Sequence, residues 1–178
     1  MTNELTILDG FDAYANDPTA SPIRGTNTKF KDGDYFAFSE KIDVSGQAYV
    51  VIEQLRGWQK LQSGCSPEYL MQKKGEPKPP QPHLDEKDWP LNLNGVSEHP
   101  YKWTTYLWLL NEKTGEISTF WTNTNGGNWA IGELSDQVAF MRLAKRRAMP
   151  VIALESAVMP NEFGTLRPLP HPRLARTQ

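Results

Sequence analysis

The stretch YKWTTYLWLLNEKTGEISTFWT, residues 101–122, constrains the fold more than any other part of the chain. Two runs of aromatic, aliphatic and β-branched residues flank Asn111-Glu112-Lys113-Thr114-Gly115, where Gly115 supplies the left-handed residue that a tight connection needs. The pattern predicts an antiparallel hairpin. Pairing Asn111 with Glu116 sets its register: Trp108 faces Thr119, Tyr106 faces Trp121 and Thr104 faces Asn123. A period of two then gives one face to Trp103, Thr105, Leu107, Leu109, Ser118 and Phe120, which suits a core. The other face carries Lys102, Thr104, Tyr106, Trp108, Thr119, Trp121 and Asn123. Flat rings mixed with hydroxyls, an amide and a lysine are expected there to form a wet stacking surface, although a one-residue slip would reassign the faces.

The remaining elements follow from local pattern. IRGTNTKF (23–30) and YFAFSEKI (35–42) read as strands joined by a Lys-Asp-Gly-Asp turn at Gly33. AYVVIEQLRGWQKL (48–61) reads as a long strand with a bulge at Gly57, because its residues are β-branched and aromatic and glycine opposes a helix. Residues 62–100 include GEPKPPQPHLDEKDWP, a charged, Pro-rich and aperiodic run that predicts an extended insertion. Its Pro77, Pro79, Pro80 and Pro82 suit a plain long loop, a surface-hugging arm or a polyproline ligand. NWAIGELSDQVAFMRLAKRR predicts a helix with Asn128 as N-cap, burying Ile131, Leu134, Val138 and Met141. PVIALESAV (150–158) predicts a last strand, and residues 161–178 a basic, Pro-rich tail unable to form regular sheet.

With 178 residues, 38% hydrophobic and 22% charged, the chain is expected to form a single β-rich domain over 23–160. An acidic segment, 1–22, precedes it. The expected class is α+β: mainly β with one packed helix, as an antiparallel sheet or an OB-like barrel with the long Pro-rich insertion. In an OB barrel the helix falls between the third and fourth strands, which fits here only if one hairpin is an elaboration. No apolar run long enough for a leader or a membrane span occurs, so no membrane association and a cytoplasmic location are expected. Cys65 is the sole cysteine, which excludes an internal disulfide and a multi-cysteine zinc site.

Catalytic signals are weak. Asp32 and Asp34, or Asp85 and Glu86, lie in turn-like or Pro-rich segments without further metal ligands at defined spacing, and His83, His99 and His171 share no ligand spacing. A non-enzyme without metal or cofactor is expected. Charge points elsewhere. The net charge is only −2, but residues 1–22 carry four acids and no base, whereas seven of the nine charges after Met141 are basic. Such asymmetry suits a local polyanion site, or simply a helix end with its cationic partners and a solvated tail.

On the long strand, Arg56, Trp58 and Lys60 alternate onto one side. Basic, aromatic, basic is expected where a sheet meets single-stranded DNA, since phosphates need Lys or Arg and unpaired bases stack on rings. The alternative is an edge strand with snorkelling charges around a core tryptophan. The candidate nucleic-acid interface therefore comprises Arg56, Trp58, Lys60, Lys102, Tyr106, Trp108 and Trp121, with Lys145, Arg146, Arg147 and Arg167.

Ile23-Arg24-Gly25-Thr26, Lys29-Phe30, Trp58-Gln59-Lys60, the Leu107–Gly115 strand and turn, Gly126-Gly127, Pro150-Val151-Ile152 and Phe163-Gly164 together resemble a family of uncharacterised bacteriophage and prophage proteins, with no known catalytic function. The resemblance covers most of the chain outside 62–100. It implies a bacterial host cell, where small proteins of DNA replication or recombination and inhibitors of host defence are both common. Two functions are thus expected in competition: a single-stranded DNA-binding module, and an interaction protein that inhibits or redirects a host complex. The sequence leaves the oligomeric state open.

Overall fold

In the computed structural model of the chain, residues 18–37, 42–62, 64–92, 94–144, 149–158 and 166–173 are described. Among them are nine strands: β1 (Thr26–Lys31), β2 (Asp34–Ala37), β3 (Ile42–Asp43), β4 (Ala48–Lys60), β5 (Glu68–Met71), β6 (Tyr101–Asn111), β7 (Ile117–Thr122), β8 (Val151–Val158) and β9 (Leu166–Arg173). One α-helix, α1 (Asn125–Ala144), lies between β7 and β8. The described residues are mainly β with one α-helix, as composition and periodicity indicated. The sheet runs β3-β2-β1-β7-β6-β4-β8-β9, with β5 paired to β4. It is mixed rather than antiparallel, because β1 lies parallel to β7, with Thr26 opposite Ser118 and Thr28 opposite Phe120. Turn chemistry cannot disclose such a pairing, since no hairpin joins parallel strands.

The chain divides into two compact units, one containing Leu55–Thr104 with the residues up to Pro22, the other Ile23–Gln54 with the residues from Thr105 onward. β4 and β6 pass through both. In the second unit β2 also contacts β8, while Gly46 donates its N–H to the Leu154 carbonyl at 2.7 Å and Leu154 donates to Gln47 at 3.3 Å. The β2–β8 contact joins strands distant in the sheet order, so this part of the sheet is nearly closed and barrel-like, while the Gly46 and Gln47 bonds extend the β4–β8 ladder. Its interior holds Tyr35, Leu107, Leu109, Phe120, Ile131 and Leu154.

The β6–β7 hairpin has the register its turn predicted: Trp108 opposite Thr119, Tyr106 opposite Trp121, Leu107 opposite Phe120. Asn111 N–H reaches the Glu116 carbonyl at 2.8 Å, and the Asn111 side chain accepts from Lys113 and Thr114 across the turn. The turn between β1 and β2 has positive φ at both Asp32 and Gly33 (54° and 102°), the geometry that matches strand twist in a two-residue hairpin. β4 runs without a break through Gly57, and β5 approaches so closely that a Cβ would lie 2.8 Å from the Leu70 carbonyl oxygen and 2.9 Å from the Met71 Cα.

Two further expectations are corrected. α1 begins three residues before Asn128, and its N-cap is Thr124, whose hydroxyl accepts the Gly127 N–H at 3.1 Å. Gly126 and Gly127 belong to the first turn, where a Cβ on Gly127 would collide with the Thr122 side chain. Asn128 instead accepts a hydrogen bond from the Thr105 hydroxyl at 2.9 Å. The tail contains a strand, since β9 pairs antiparallel with β8 from Leu166 opposite Val158 to Arg173 opposite Val151. Pro168, Pro170 and Pro172 are two apart, so their nitrogens all point to one edge, and among the described residues β9 ends the sheet order with that edge unpaired. Residues 62–100 are likewise not wholly irregular: β5 and a 3-10 turn at Glu86–Asp88 lie within them.

Candidate binding surfaces

In the first unit the aromatic ends of β4 and β6 meet residues of the Pro-rich stretch. Trp58 and Trp103, on neighbouring strands, pack edge to face with centroids 5.1 Å apart. The Lys78 ammonium lies 4.6 Å from the Trp58 ring centroid and 4.5 Å from that of Trp103. Trp58 Nε1 donates to the Pro79 carbonyl at 2.9 Å, and Gln81 reaches the Tyr101 carbonyl at 3.1 Å and His99 Nδ1 at 3.0 Å. Farther along the same strands, Lys60 stands 5.9 Å over Tyr101 and pairs with Glu68 at 2.6 Å, while the Tyr101 hydroxyl donates to Glu68 at 2.8 Å. The hydrogen bond from Lys60 holds the Glu68 carboxyl below the usual glutamate range and the lysine above its own. Burial, and then the bond to Glu68, push the Tyr101 phenol up.

Of the residues expected on the nucleic-acid face, the structure thus places Trp58 8% exposed beneath Lys78 and Pro79, and Lys60 in an ion pair. Arg56 is exposed on β4. Lys102 pairs with Glu98, holding that carboxyl below its usual range. The hairpin's second face corrects the expectation of a wet platform. Tyr106 is fully buried and Trp108 is 2% exposed. The segment before β1 covers this face: the Arg24 guanidinium lies 5.6 Å over Trp108, and Thr119 exchanges two hydrogen bonds with the Arg24 backbone, at 2.8 and 2.7 Å. Hydroxyls that suggested water are satisfied within the protein.

Trp121 stays half-buried. Its indole N–H donates to Asn27 at 2.8 Å and Lys29 Nζ lies 5.1 Å from its centroid. Around it Lys29, Phe30, Asn123, Thr124 and Pro168 line a pocket of about 200 Å³. Lys145, Arg146 and Arg147 lie outside the described residues, as does the Arg167 side chain, although the Arg167 backbone pairs with Ala157. Asp32 is an exposed turn residue, Asp34 is the exposed first residue of β2, and His83 is exposed too. No three His, Cys, Asp or Glu side chains cluster as metal ligands among the described residues. Nor is any described helix long and apolar enough to cross a membrane.

Sequence reasoning missed three features. Lys29 and Lys78, which lie over tryptophan rings, come from segments distant in sequence from those rings and had no local signal. The third was legible: on α1 the exposed Phe140 (76%) and Leu143 (82%) fall opposite Ile131, Leu134 and Val138 when turned through 100° per residue. Exposed Trp129 (44%) lies three turns earlier on that outer stripe. No family model, no curated protein and no solved structure matches this chain.

Proposed function

We propose that the protein acts by contact with another protein and not by catalysis, as a phage-type interaction protein that inhibits or redirects a complex of its bacterial host. The observation behind this reading is the outer stripe of α1. A helix that is apolar toward its own core and also toward solvent has a second surface to cover. Phe140 and Leu143 are one turn apart, so their exposed side chains form a single patch at the C-terminal end of α1. The host setting rests on the resemblance to bacteriophage and prophage proteins.

The double variant Phe140→Asp, Leu143→Asp tests it. These side chains have little contact to lose, so the variant is expected to keep the parent melting temperature. Host proteins retained by the parent on an affinity column, identified by quantitative mass spectrometry, are expected to be released by the variant. Identical retention by both chains would remove the reading. Concentration-dependent light scattering separates this from self-association.

A second reading, single-stranded DNA binding on an OB-like barrel, draws on Trp121 with Lys29 above it. A base stacked on that ring and a phosphate at Lys29 would combine the two interactions such binding uses. The expected result is quenching of tryptophan fluorescence by poly-dT that weakens with salt and is lost in Trp121→Ala. Absence of quenching at low salt excludes it.

A further inference from the structure

Within Glu76–Pro82, the chain's own Lys78 and Pro79 sit on Trp58 and Trp103 in a chemically specific way. The indole N–H of Trp58 takes a proline carbonyl at 2.9 Å. The ammonium of the residue just before that proline lies within 4.6 Å of both ring centroids. Extended proline-rich chain has no internal hydrogen bonds, so its carbonyls are free for an indole donor, and its stiffness lowers the entropy lost on docking. A cation shared between two tryptophan rings adds attraction that an apolar side chain cannot supply. Pro77, Pro79, Pro80 and Pro82 lack N–H groups; Glu76 bonds back to Lys73 and Gln72, and from Pro77 to Pro82 the described hydrogen bonds are the Trp58–Pro79 bond and those of Gln81. What is recognised is therefore a lysine followed by proline, and not a ladder of backbone bonds.

We propose that Trp58 and Trp103 form a recognition site for an extended lysine–proline segment, filled in this chain by Lys78–Pro79 and able to take the same sequence from a partner polypeptide. The cis segment competes at the high effective concentration of a short tether, on the order of millimolar. Capture in trans is accordingly weak in the parent and strengthened when the cis lysine is removed. The site is separate from the α1 patch and does not rest on the function proposed above.

The probe is the synthetic peptide Gly-Glu-Pro-Lys-Pro-Pro-Gln-Pro, titrated into full-length protein and followed by tryptophan fluorescence. Lys78→Ala is expected to bind it saturably, at least roughly tenfold more tightly than the parent does. Adding Trp103→Ala is expected to abolish the signal, and a peptide with methionine for lysine to bind at least about tenfold more weakly. Lys78→Met, which keeps the stem of the side chain, repeats the titration if Lys78→Ala does not fold. No binding by a folded variant, or equal binding of the methionine peptide, overturns the proposal. Unfolding of both variants also overturns it, because the segment would then be a fixed part of the fold.

Discussion

A methyl group at Gly57 has nowhere to go, since two of the three atoms it would meet belong to the β5 backbone. Gly57→Ala is expected to cost about 1 to 3 kcal/mol, the usual range for overpacking, measured by denaturant unfolding. Trp108 is a residue for which chemistry and burial diverge. A tryptophan among threonines on a hairpin face suggests a platform, yet Arg24 and its backbone close over it. Trp108→Ala should therefore cost about 3 to 5 kcal/mol, as for other buried tryptophans, and half-buried Trp121→Ala clearly less. Equal costs would mean that Trp121 is as enclosed as its neighbour. The Lys60–Glu68 pair sets a pH dependence. The carboxyl is lowered in the folded state, so its contribution is present above glutamate's unfolded value of about 4.3 and fades as pH falls through the lowered folded value. Lys60 is raised, so its share persists below lysine's unfolded value of about 10.4 and is lost only above the raised one. Both groups are near the surface, so the effect is small and screened by salt. Glu68→Gln is expected to flatten the acid-side fall of the melting temperature and to lower the Tyr101 phenol value part of the way, read by ultraviolet titration.

Among the elements, β9 has the clearest consequence. Its three prolines leave the outer edge of the sheet with missing donors, which blocks addition of another strand while the inner edge still pairs with β8. Deleting residues 166–178 would bare the β8 edge beside buried Ile152, Ala153 and Leu154. The truncated chain is expected to melt roughly 5 °C lower or more and to aggregate on heating, as seen by calorimetry and light scattering. An unchanged melting temperature would mean that β9 adds nothing to the sheet. The same strand shows where sequence reading succeeds and fails. The β6–β7 register was legible because a short turn fixes it locally, and the buried stripe of α1 because 3.6-residue periodicity is local too. The prolines of β9 argued against sheet by residue type, while their spacing of two, which permits an edge strand, was the overlooked signal. Burial of the second hairpin face was not legible, because its cover comes from Arg24, 95 positions before Thr119. The same holds for Lys78 on Trp103 and for the parallel β1–β7 pairing, both fixed by partners that no window of sequence contains.

At the scale of the molecule, the two units are held by different chemistry. The second has a contiguous aliphatic and aromatic interior, from Tyr35 and Tyr49 through Leu107 and Phe120 to Ile131 and Leu154. Among the described residues of the first, Trp58 and Met71 are the large apolar side chains under a tenth exposed, with the polar Gln59 beside them, and Lys78, Gln81 and Glu68 make contacts that keep access to water. Apolar burial contributes roughly 25 cal/mol per Å², whereas exposed ion pairs contribute about 0 to 1 kcal/mol each, so the first unit has the smaller reserve against local opening. β4 offers an internal comparison, because one strand supplies Tyr49 and Val51 to the second unit and Trp58–Lys60 to the first. Native-state hydrogen exchange is expected to show the amides of Tyr49 and Val51 opening only with global unfolding. Those of Trp58, Gln59 and Lys60, together with Tyr69 and Met71 on β5, should exchange at least about tenfold faster, a difference of roughly 1.4 kcal/mol in opening free energy. Addition of denaturant should merge the two classes, since sub-global openings depend on it less steeply than complete unfolding does. Uniform protection along β4 at every denaturant concentration would instead show that the contacts of the Pro-rich stretch close the first unit as firmly as an apolar core closes the second.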